Sequence, residues 1–429
     1  MELLRKLQQR EHEKRPVSIG IIGCGQMGSG LAHTINNIRG MQVNAIADID
    51  PGRAIRTLVD MGIDRGQIRE VRTAGEANDA LSKGRRVVTA DAMIMTDLET
   101  IEANVEATGV PDVGASVALS SIEKKKPVIM LNVETDITIG ALLNLKARKN
   151  GALYTVASGD EPGVCKMLYE QAVLMGFEVV CIGKGKNNPL DLDAHPDSCR
   201  EEALGKDMNP KILASFKDGT KTMVEMAAVS NATGLVPDVP GMHGPKVELD
   251  ELLEIYKPKA DGGILATRGT VDYSTGNIAP GVFLIVHSYD RRIQKEMDFI
   301  THAAGPYYLL FRPYHLCDLE TPQSIAEAVL LNEVTVVAEK MNSEVVAMAK
   351  RDMKVGELLE GIGSADLFGR IYTYREARMM KAIPIGIAEN AVLLDDVKKG
   401  EPLTEATCKV DSSTLIYALR KEQDNIFRI

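Results

Sequence analysis

Two lysines, two asparagines, three aspartates and a histidine fall within Gly183–Asp197, G-K-G-K-N-N-P-L-D-L-D-A-H-P-D. Reduction of a carbonyl needs a donor beside the oxygen that becomes an alkoxide, and a group that exchanges its proton. Lys184 and Lys186 can fill either role, or hold a phosphate or carboxylate. Lys186 is the leading candidate, with Lys184 as its helper. Asn187 and Asn188 are candidate substrate ligands. Asp191 and Asp193 can orient a lysine or, with Asn187, bind a divalent ion; of the two, Asp193 is the candidate catalytic residue, in that orienting or metal-holding role. A polar surface loop has a similar composition. Against that, the apolar run Phe177–Ile182 reads as a strand that delivers the loop to a domain boundary.

A second unusual stretch covers residues 222–246, T-M-V-E-M-A-A-V-S-N-A-T-G-L-V-P-D-V-P-G-M-H-G-P-K. An apolar helix runs into a Pro/Gly-rich loop that ends with His243 and Lys246. His243 is read as a catalytic residue closing on the polar tail of a substrate, and Lys246 as a substrate ligand. Glu161 lies in the turn Gly159–Gly163, at a helix start, where an acid caps free N–H groups as readily as it binds a substrate. Arg312 and His315 in F-R-P-Y-H-L read as structural. The six cysteines are scattered, with no C-x-x-C and no metal-ligand spacing, so they read as reduced thiols. Cys165 has no histidine near it in sequence to make it a nucleophile.

Proton exchange alone does not reduce a carbonyl, and the N-terminal part of the chain offers a hydride carrier. Val17, Ile19, Ile21 and Ile22 form a short β-branched run, the pattern of a strand buried on both faces. Gly23, Gly25 and Gly28 follow at G-x-G-x-x-G spacing, with Gln26 and Met27 between them. Met27, Leu31, Ile35 and Ile38 then recur at helical spacing. A dinucleotide needs its glycines in this order: one for the tight turn, one for close approach of the pyrophosphate, one for helix–strand packing. The helix start offers free N–H groups to the phosphates. A second apolar run, Val43–Ala47, ends at Asp48, positioned to bind the adenine-ribose 2′-hydroxyl and to repel a 2′-phosphate. NAD is therefore expected, while Arg53 keeps NADP open. The Thr108-Gly109 turn and Asn132, at the ends of later strands, are expected to border the nicotinamide.

At 429 residues the chain exceeds one ordinary core. Alternating strands and helices over residues 17–150 predict an α/β fold whose core is a doubly wound parallel sheet. The charged segment Arg53–Asp91 is expected to pack as helices over one sheet edge. Three domains are drawn: residues 1–150 as the dinucleotide-binding domain, 151–340 as an α+β substrate and oligomerisation domain, and 341–429 as a small β domain. A helix near 322–334 is expected to return to the first domain. In the last part, A-K-R-D-M-K-V-G-E-L-L and L-L-D-D-V-K-K-G-E-P-L-T suggest an internal pseudo-repeat. The net charge of −10 argues against nucleic acid or an anionic membrane as a partner. No apolar run approaches membrane-spanning length. The N-terminus has no signal-peptide core and reads as an amphipathic helix carrying Leu3, Leu4 and Leu7. A cytoplasmic protein is expected.

The phrases N-V-E-T-D (132–136), G-D-E-P (159–162), G-K-G-K-N-N-P-L (183–190), T-K-T-M-V-E-M-A-A (220–228), N-A-T-G-L-V-P-D (231–238), G-M-H-G-P (241–245), F-R-P-Y-H-L (311–316) and K-A-I-P (381–384) span nearly the whole chain. With them the sequence resembles the homoserine dehydrogenase superfamily. More specifically, it resembles the DXP reductoisomerase-like (DRL) oxidoreductases with a C-terminal SAF, or β-clip, domain. The resemblance implies a Rossmann domain, an NAD(P)-dependent oxidoreductase and a homo-oligomer, dimer or tetramer. Some members reduce and rearrange 1-deoxy-D-xylulose 5-phosphate with NADPH and a divalent metal. Two departures matter. Ala47-Asp48-Ile49-Asp50 stands where NADPH users carry basic residues, and Val133-Glu134 replaces the lysine of homoserine dehydrogenase. The expected activity is hydride transfer to or from a small polyhydroxylated carbonyl or alcohol bearing a phosphate or carboxylate. A reductoisomerase-like activity and a non-catalytic dinucleotide sensor are the alternatives. No metal ligand is assigned from the sequence.

Overall fold

The computed structural model describes residues 2–206 and 208–427. They form two compact units, each assembled from separated stretches of chain. The first comprises described residues within 1–160, 316–339 and 413–428; the second comprises 161–315 and 340–412. These boundaries cut the chain differently from the three-way division drawn from the sequence. The later segments fold with whichever core accepts their apolar faces.

The first unit is an α/β sheet of seven parallel strands. They are β1 (Val17–Ile22), β2 (Met41–Ala47), β3 (Ile68–Glu70), β4 (Arg86–Thr89), β5 (Ala103–Glu106), β6 (Val128–Met130) and β7 (Tyr154–Val156). Their order is β3-β4-β2-β1-β5-β6-β7. Every residue of β1 is buried, as Val17, Ile19, Ile21 and Ile22 require of a strand covered on both faces. Six helices belong here: α1 (Glu2–His12), α2 (Gln26–Asn36), α3 (Pro51–Asp60), α4 (Ala74–Ser82), α5 (Pro111–Glu123) and α6 (Val133–Asn150). α1 buries Leu7 but leaves Leu4 exposed. Residues 53–91 differ from expectation. Besides helices they supply β3 and β4, because Val87 and Val88 pair with β2 and extend the sheet.

Two returning helices complete this unit. Cys317–Ala326 packs on α2, with Ile325 and Ala326 in the core beside Leu31 and Ile35. Leu415–Ile426 packs on α5 and α6. Its Gln423 reaches across one turn of α6, donating from Nε2 to the Thr138 carbonyl (2.9 Å) and accepting the Leu142 N–H on Oε1 (2.9 Å).

Gly23 and Gly28 explain the glycine spacing. Gly23 has φ +92°, and a Cβ there would stand 2.7 Å from the Ala107 carbonyl group. A Cβ on Gly28 would lie 1.9 Å from the Gly23 carbonyl oxygen. Gly28→Ala is expected to cost roughly 1–3 kcal/mol through this overlap, read as a lower urea midpoint with an unchanged m-value.

The second unit is built on a five-stranded mixed sheet. Its strands are β8 (Glu178–Gly185), β9 (Val236–Pro237), β10 (Thr270–Ser274), β11 (Val282–His287) and β12 (Tyr307–Arg312), in the order β12-β11-β8-β10-β9. α7 (Glu161–Leu174), α8 (Pro196–Gly205), α9 (Pro210–Lys217) and α10 (Thr220–Thr233) accompany it. α7 packs on β8, β11 and α10. Residues 340–412 contribute the antiparallel pair β13 (Ser343–Ala349) and β14 (Leu367–Thr373), which packs on α10.

The pseudo-repeat of the last part has a structural meaning. Its two phrases run antiparallel, and Met353 and Val397 exchange backbone bonds of 2.8 and 3.0 Å. Asp352 accepts the Lys399 N–H while Asp396 accepts the Val355 N–H. Lys354 pairs with Asp396 and Lys398 with Asp352. Glu357 accepts the Lys354 N–H as Glu401 accepts that of Lys398. Each copy thus caps the other by the same contacts, as a local two-fold would require.

Candidate functional site

In the first unit, the C-terminal ends of β1, β2, β5 and β6 carry the residues expected to hold a dinucleotide. α2 begins at Gln26 with Gly25 as its N-cap and no side-chain cap. A Cβ on Gly25 would meet nothing within 4 Å, and Gln26 and Met27 are exposed. The helix start is therefore open to an anion. Asp48 is buried. It accepts the Cys24 N–H at 2.6 Å and the Asp50 N–H at 2.9 Å, so it ties the glycine turn to the end of β2. A carboxylate keeps further acceptor capacity after two bonds, which a ribose hydroxyl can use. Arg53 lies 3.8 Å from Asp48 and is half exposed.

Thr108 and Asn132 meet around a residue that had not been singled out. Glu106, at the end of β5, accepts the Thr108 N–H at 2.9 Å and the Thr108 hydroxyl. Asn132 caps α6 by accepting the Thr135 N–H at 3.1 Å and donates to the Val110 carbonyl at 3.1 Å. Burial pushes the Glu106 carboxyl up to about 7, against the pull of the Thr108 bonds. The folded state thus holds a proton that the unfolded state gives up above about pH 4.3. Stability falls as pH rises through this window. Glu106→Gln, which removes the ionisation, is expected to stabilise the chain at pH 8 relative to pH 5 by up to about 3 kcal/mol. Urea unfolding at both pH values measures the difference.

In the second unit, β8 carries Lys184, and Lys186 follows one residue past its end. The two lysines meet different surroundings. Lys184 Nζ bonds Glu161 of α7 and Glu225 of α10, and all three side chains are buried. Burial opposes the ammonium, but the two carboxylates outweigh it and raise the Lys184 pKa. Burial and the neighbouring Glu161 push Glu225 in the same direction. Lys184 is thus held as a fixed cation, whose charge keeps two buried acids in place. His315 joins this group, with Nε2 3.3 Å from Glu161 Oε1 and Nδ1 2.8 Å from the Pro280 carbonyl oxygen. Sequence reasoning assigned His315 to structure and passed over Glu225.

Among the described residues no carboxylate hydrogen-bonds Lys186; Asp218 and Glu225 act on it only through their charge. Its Nζ donates to the carbonyls of Asn188 (2.7 Å) and Phe216 (2.8 Å), with Lys217 O at 3.5 Å. Burial, and then the Lys184 charge, lower it to about 8. A lysine near 8 can both give and take a proton in the physiological range. Asn188 is half-buried and holds Lys186 through its backbone oxygen; Asn187 is exposed.

Asp193 is not brought to these lysines. It is exposed and pairs with Lys399 at 2.6 Å. Asp191 Oδ1 accepts the Asp193 N–H at 3.1 Å, so the Asp191 carboxylate serves a loop turn. His243 Nε2 lies 2.8 Å from Asp238 Oδ2. Its loop is anchored on buried Asp272, which accepts the N–H groups of His243 (3.1 Å) and Gly244 (3.0 Å). Burial pushes Asp272 up to about 6, opposed by those backbone bonds. Lys246 is exposed. The carboxylates of Glu161 and Glu225 converge on one point, which Lys184 Nζ fills.

Among the described residues no helix is long and apolar enough to cross a membrane. No curated protein matches the chain in sequence. Among solved structures, the chain is similar to an Agrobacterium radiobacter oxidoreductase in complex with NAD+, L-tartaric acid and magnesium. That match has 14% identity over 40% of this chain and 44% of the other, with TM-score 0.29. A second is scyllo-inositol dehydrogenase from Lactobacillus casei with NAD(H) and scyllo-inositol: 13% identity over 76% and 92%, TM-score 0.43. A third is DOX-P reductoisomerase with NADPH, fosmidomycin and magnesium: 14% identity over 50% and 57%, TM-score 0.35. The chain thus spans under half of the first protein and just over half of the third. Residues 159–321 match a family model described as the catalytic domain of the oxidoreductase DRL. Glu161, Lys184, Lys186, Glu225, His243 and His315 all fall within that match.

Proposed function

We propose that the chain is an NAD(P)-dependent oxidoreductase that moves a hydride to or from a small polyhydroxylated substrate bearing a phosphate or carboxylate. The observation that carries this reading is Lys186, a buried lysine lowered to about 8 whose ammonium donates to the Asn188 and Phe216 carbonyls, inside the matched catalytic segment. The first unit supplies an uncapped helix start behind Gly23-x-Gly25-x-x-Gly28 for the pyrophosphate, with Asp48 for the ribose. A nicotinamide cofactor bound there supplies the hydride. Gln26 and Met27 would offer N–H groups, and Thr108, Gly109 and Asn132 would border the ring. The second unit supplies the proton. Lys186 would give its proton to the forming alkoxide in reduction and accept it in oxidation, while Lys184 stays cationic and lowers Lys186 by repulsion. His243 and Lys246 are proposed to engage the anionic tail of the substrate. Asp193 is left without a role at Lys186.

The pH dependence follows from the direction of reaction. Reduction needs the ammonium of Lys186, so its rate is expected to fall above about pH 8; oxidation needs the neutral amine and is expected to rise through the same pH. The test is a panel of sugar acids, polyol phosphates and 1-deoxy-D-xylulose 5-phosphate with Mn²⁺, followed by nicotinamide absorbance in both directions. Turnover with no panel member, alongside tight cofactor binding, would favour a dinucleotide sensor. A reductoisomerase-like activity with NADPH is the second reading. Arg53, 3.8 Å from Asp48 and half exposed, favours it, since it can meet a 2′-phosphate. Cytoplasmic location and homo-oligomeric assembly remain part of the proposal.

A further inference from the structure

Lys186 is held by carbonyls from the last turn of α9, and that turn, with Asp218 after it, is itself fixed from the C-terminal segment. Lys350, the residue after β13, is buried. Its Nζ donates to the carbonyls of Ala194 (2.6 Å) and Ser364 (2.7 Å) and lies 2.8 Å from Asp218 Oδ2. The contact with Asp218 is one of charge more than of a directed hydrogen bond, because that oxygen has no partner of good geometry. Asp218 follows Phe216 and Lys217, whose carbonyls face Lys186. Asp218 Oδ1 also accepts the Thr220 N–H at 2.8 Å, and Thr220 Oγ1 accepts the Gly369 N–H of β14 at 2.8 Å. The loop beyond Lys186 is tied to the same turn, since the Asp191 N–H meets the Lys217 carbonyl at 2.9 Å. One ammonium thus joins the loop (Ala194), the turn (Asp218) and its own segment (Ser364).

We infer that Lys350 is a positioning residue for Lys186: its pairing with Asp218 and Ala194 keeps the 216–218 turn closed on the Lys186 ammonium. The inference rests on the reading of Lys186 as the proton-transfer group. A hydrophobic anchor would hold the strands together equally well, but a buried ammonium needs acceptors, and two of its three, Ala194 and Asp218, sit on the two sides of the Lys186 cage. Asp218 also faces Lys186 and favours its charge. The groups facing Lys186 are therefore Lys184, Asp218 and Glu225. Without Lys350, the Asp218 carboxylate loses the ammonium paired with it. The turn opens, water reaches Lys186, and its proton affinity returns toward that of an ordinary lysine.

The test reads Lys186 directly and needs no substrate. Competitive acetylation with acetic anhydride, followed residue by residue by mass spectrometry across pH, gives the reactivity and titration midpoint of each lysine. In the full-length wild type, Lys186 is expected to react roughly tenfold or more slowly than exposed Lys83 at matched ionisation, because its amine must open before it reacts. In Lys350→Met the protection is lost and the midpoint moves upward. Lys350→Arg, which keeps the charge, restores both. If Lys350→Met fails to fold, Lys350→Gln carries the same expectation in weaker form. A folded Lys350→Met or Lys350→Gln chain with Lys186 protection and midpoint unchanged would overturn the inference, whatever its melting temperature. Because no turnover is measured, that outcome leaves the proposed activity standing on its own test.

Discussion

Lys186→Met abolishes turnover and leaves cofactor binding intact: this is the expected result for a lysine whose only task is proton transfer. Methionine matches the stem of the lysine, so the buried volume is nearly kept, and the residue lies in the second unit, away from the glycine turn in sequence and core. The carbonyls of Asn188 and Phe216 lose their donor but gain no opposing charge. Removal of a general acid typically costs about 10²–10⁴-fold in rate, and loss of alkoxide stabilisation adds to it. Single-turnover oxidation of bound NADH against substrate separates this from a binding defect. A variant that keeps more than about a tenth of wild-type kcat would remove Lys186 from the chemistry, because that residue of activity lies far above the expected loss.

Lys184→Met has its largest effect on stability. Glu161 and Glu225 would be left buried with no cation between them. Breaking a buried pair in this way costs about 3–5 kcal/mol. The loss depends on pH, because the acids can take up protons in place of the lysine. Burial already raises the Glu225 carboxyl in the folded state, so the variant binds protons on folding and loses stability as pH rises. Thermal unfolding is expected to show the deficit growing from pH 5 to pH 8. Adding Glu225→Gln to Lys184→Met is expected to recover part of it at pH 8. A deficit that shrinks with rising pH would contradict the charge assignment. The buried cost of this triad also speaks for function, since a well-packed apolar cluster would stabilise the same helices without the desolvation penalty.

What could be read from the sequence divides along physical lines. The glycine turn was legible because its demands are backbone demands: a positive φ at Gly23 and a close approach at Gly28 leave one residue type at each position. The strand pattern of β1 was legible for a related reason, as burial on both faces leaves mainly β-branched residues, Val17, Ile19, Ile21 and Ile22. The separate fates of Lys184 and Lys186 were not legible. They stand two residues apart, and what separates them arrives from Glu161 and Glu225, 23 and 41 positions from Lys184. Asp193 was misplaced by the same limit, since its partner Lys399 lies 206 positions away. Two signals were present and unused. Glu225 is an acid inside T-M-V-E-M-A-A-V, and Glu106 an acid ending an apolar strand. A charge in a run that is otherwise fully buried needs a partner or a purpose. The return of residues 413–427 to the first unit, unlike that of the helix near 322–334, depends on long-range packing, such as Gln423 on α6, which composition and periodicity do not encode.

The C-terminal segment shows how a sequence repeat can be seen before its meaning. The matched Asp, Lys, Gly and Glu of the two phrases were visible as a pattern. Only the structure shows them capping one another across a local two-fold. The same segment carries Lys350, and through it reaches the turn that holds Lys186.

The measurement that tests the central claim most directly is titration of the purified protein with NADH and with NADPH by calorimetry. Asp48 at the end of β2 and the uncapped start of α2 lead to saturable one-to-one binding of NADH. NADPH is expected to bind about tenfold or more weakly, through repulsion of its 2′-phosphate by Asp48. Binding of neither dinucleotide at millimolar concentration would contradict the account, because the proton chemistry of Lys186 would then have no hydride to accompany it.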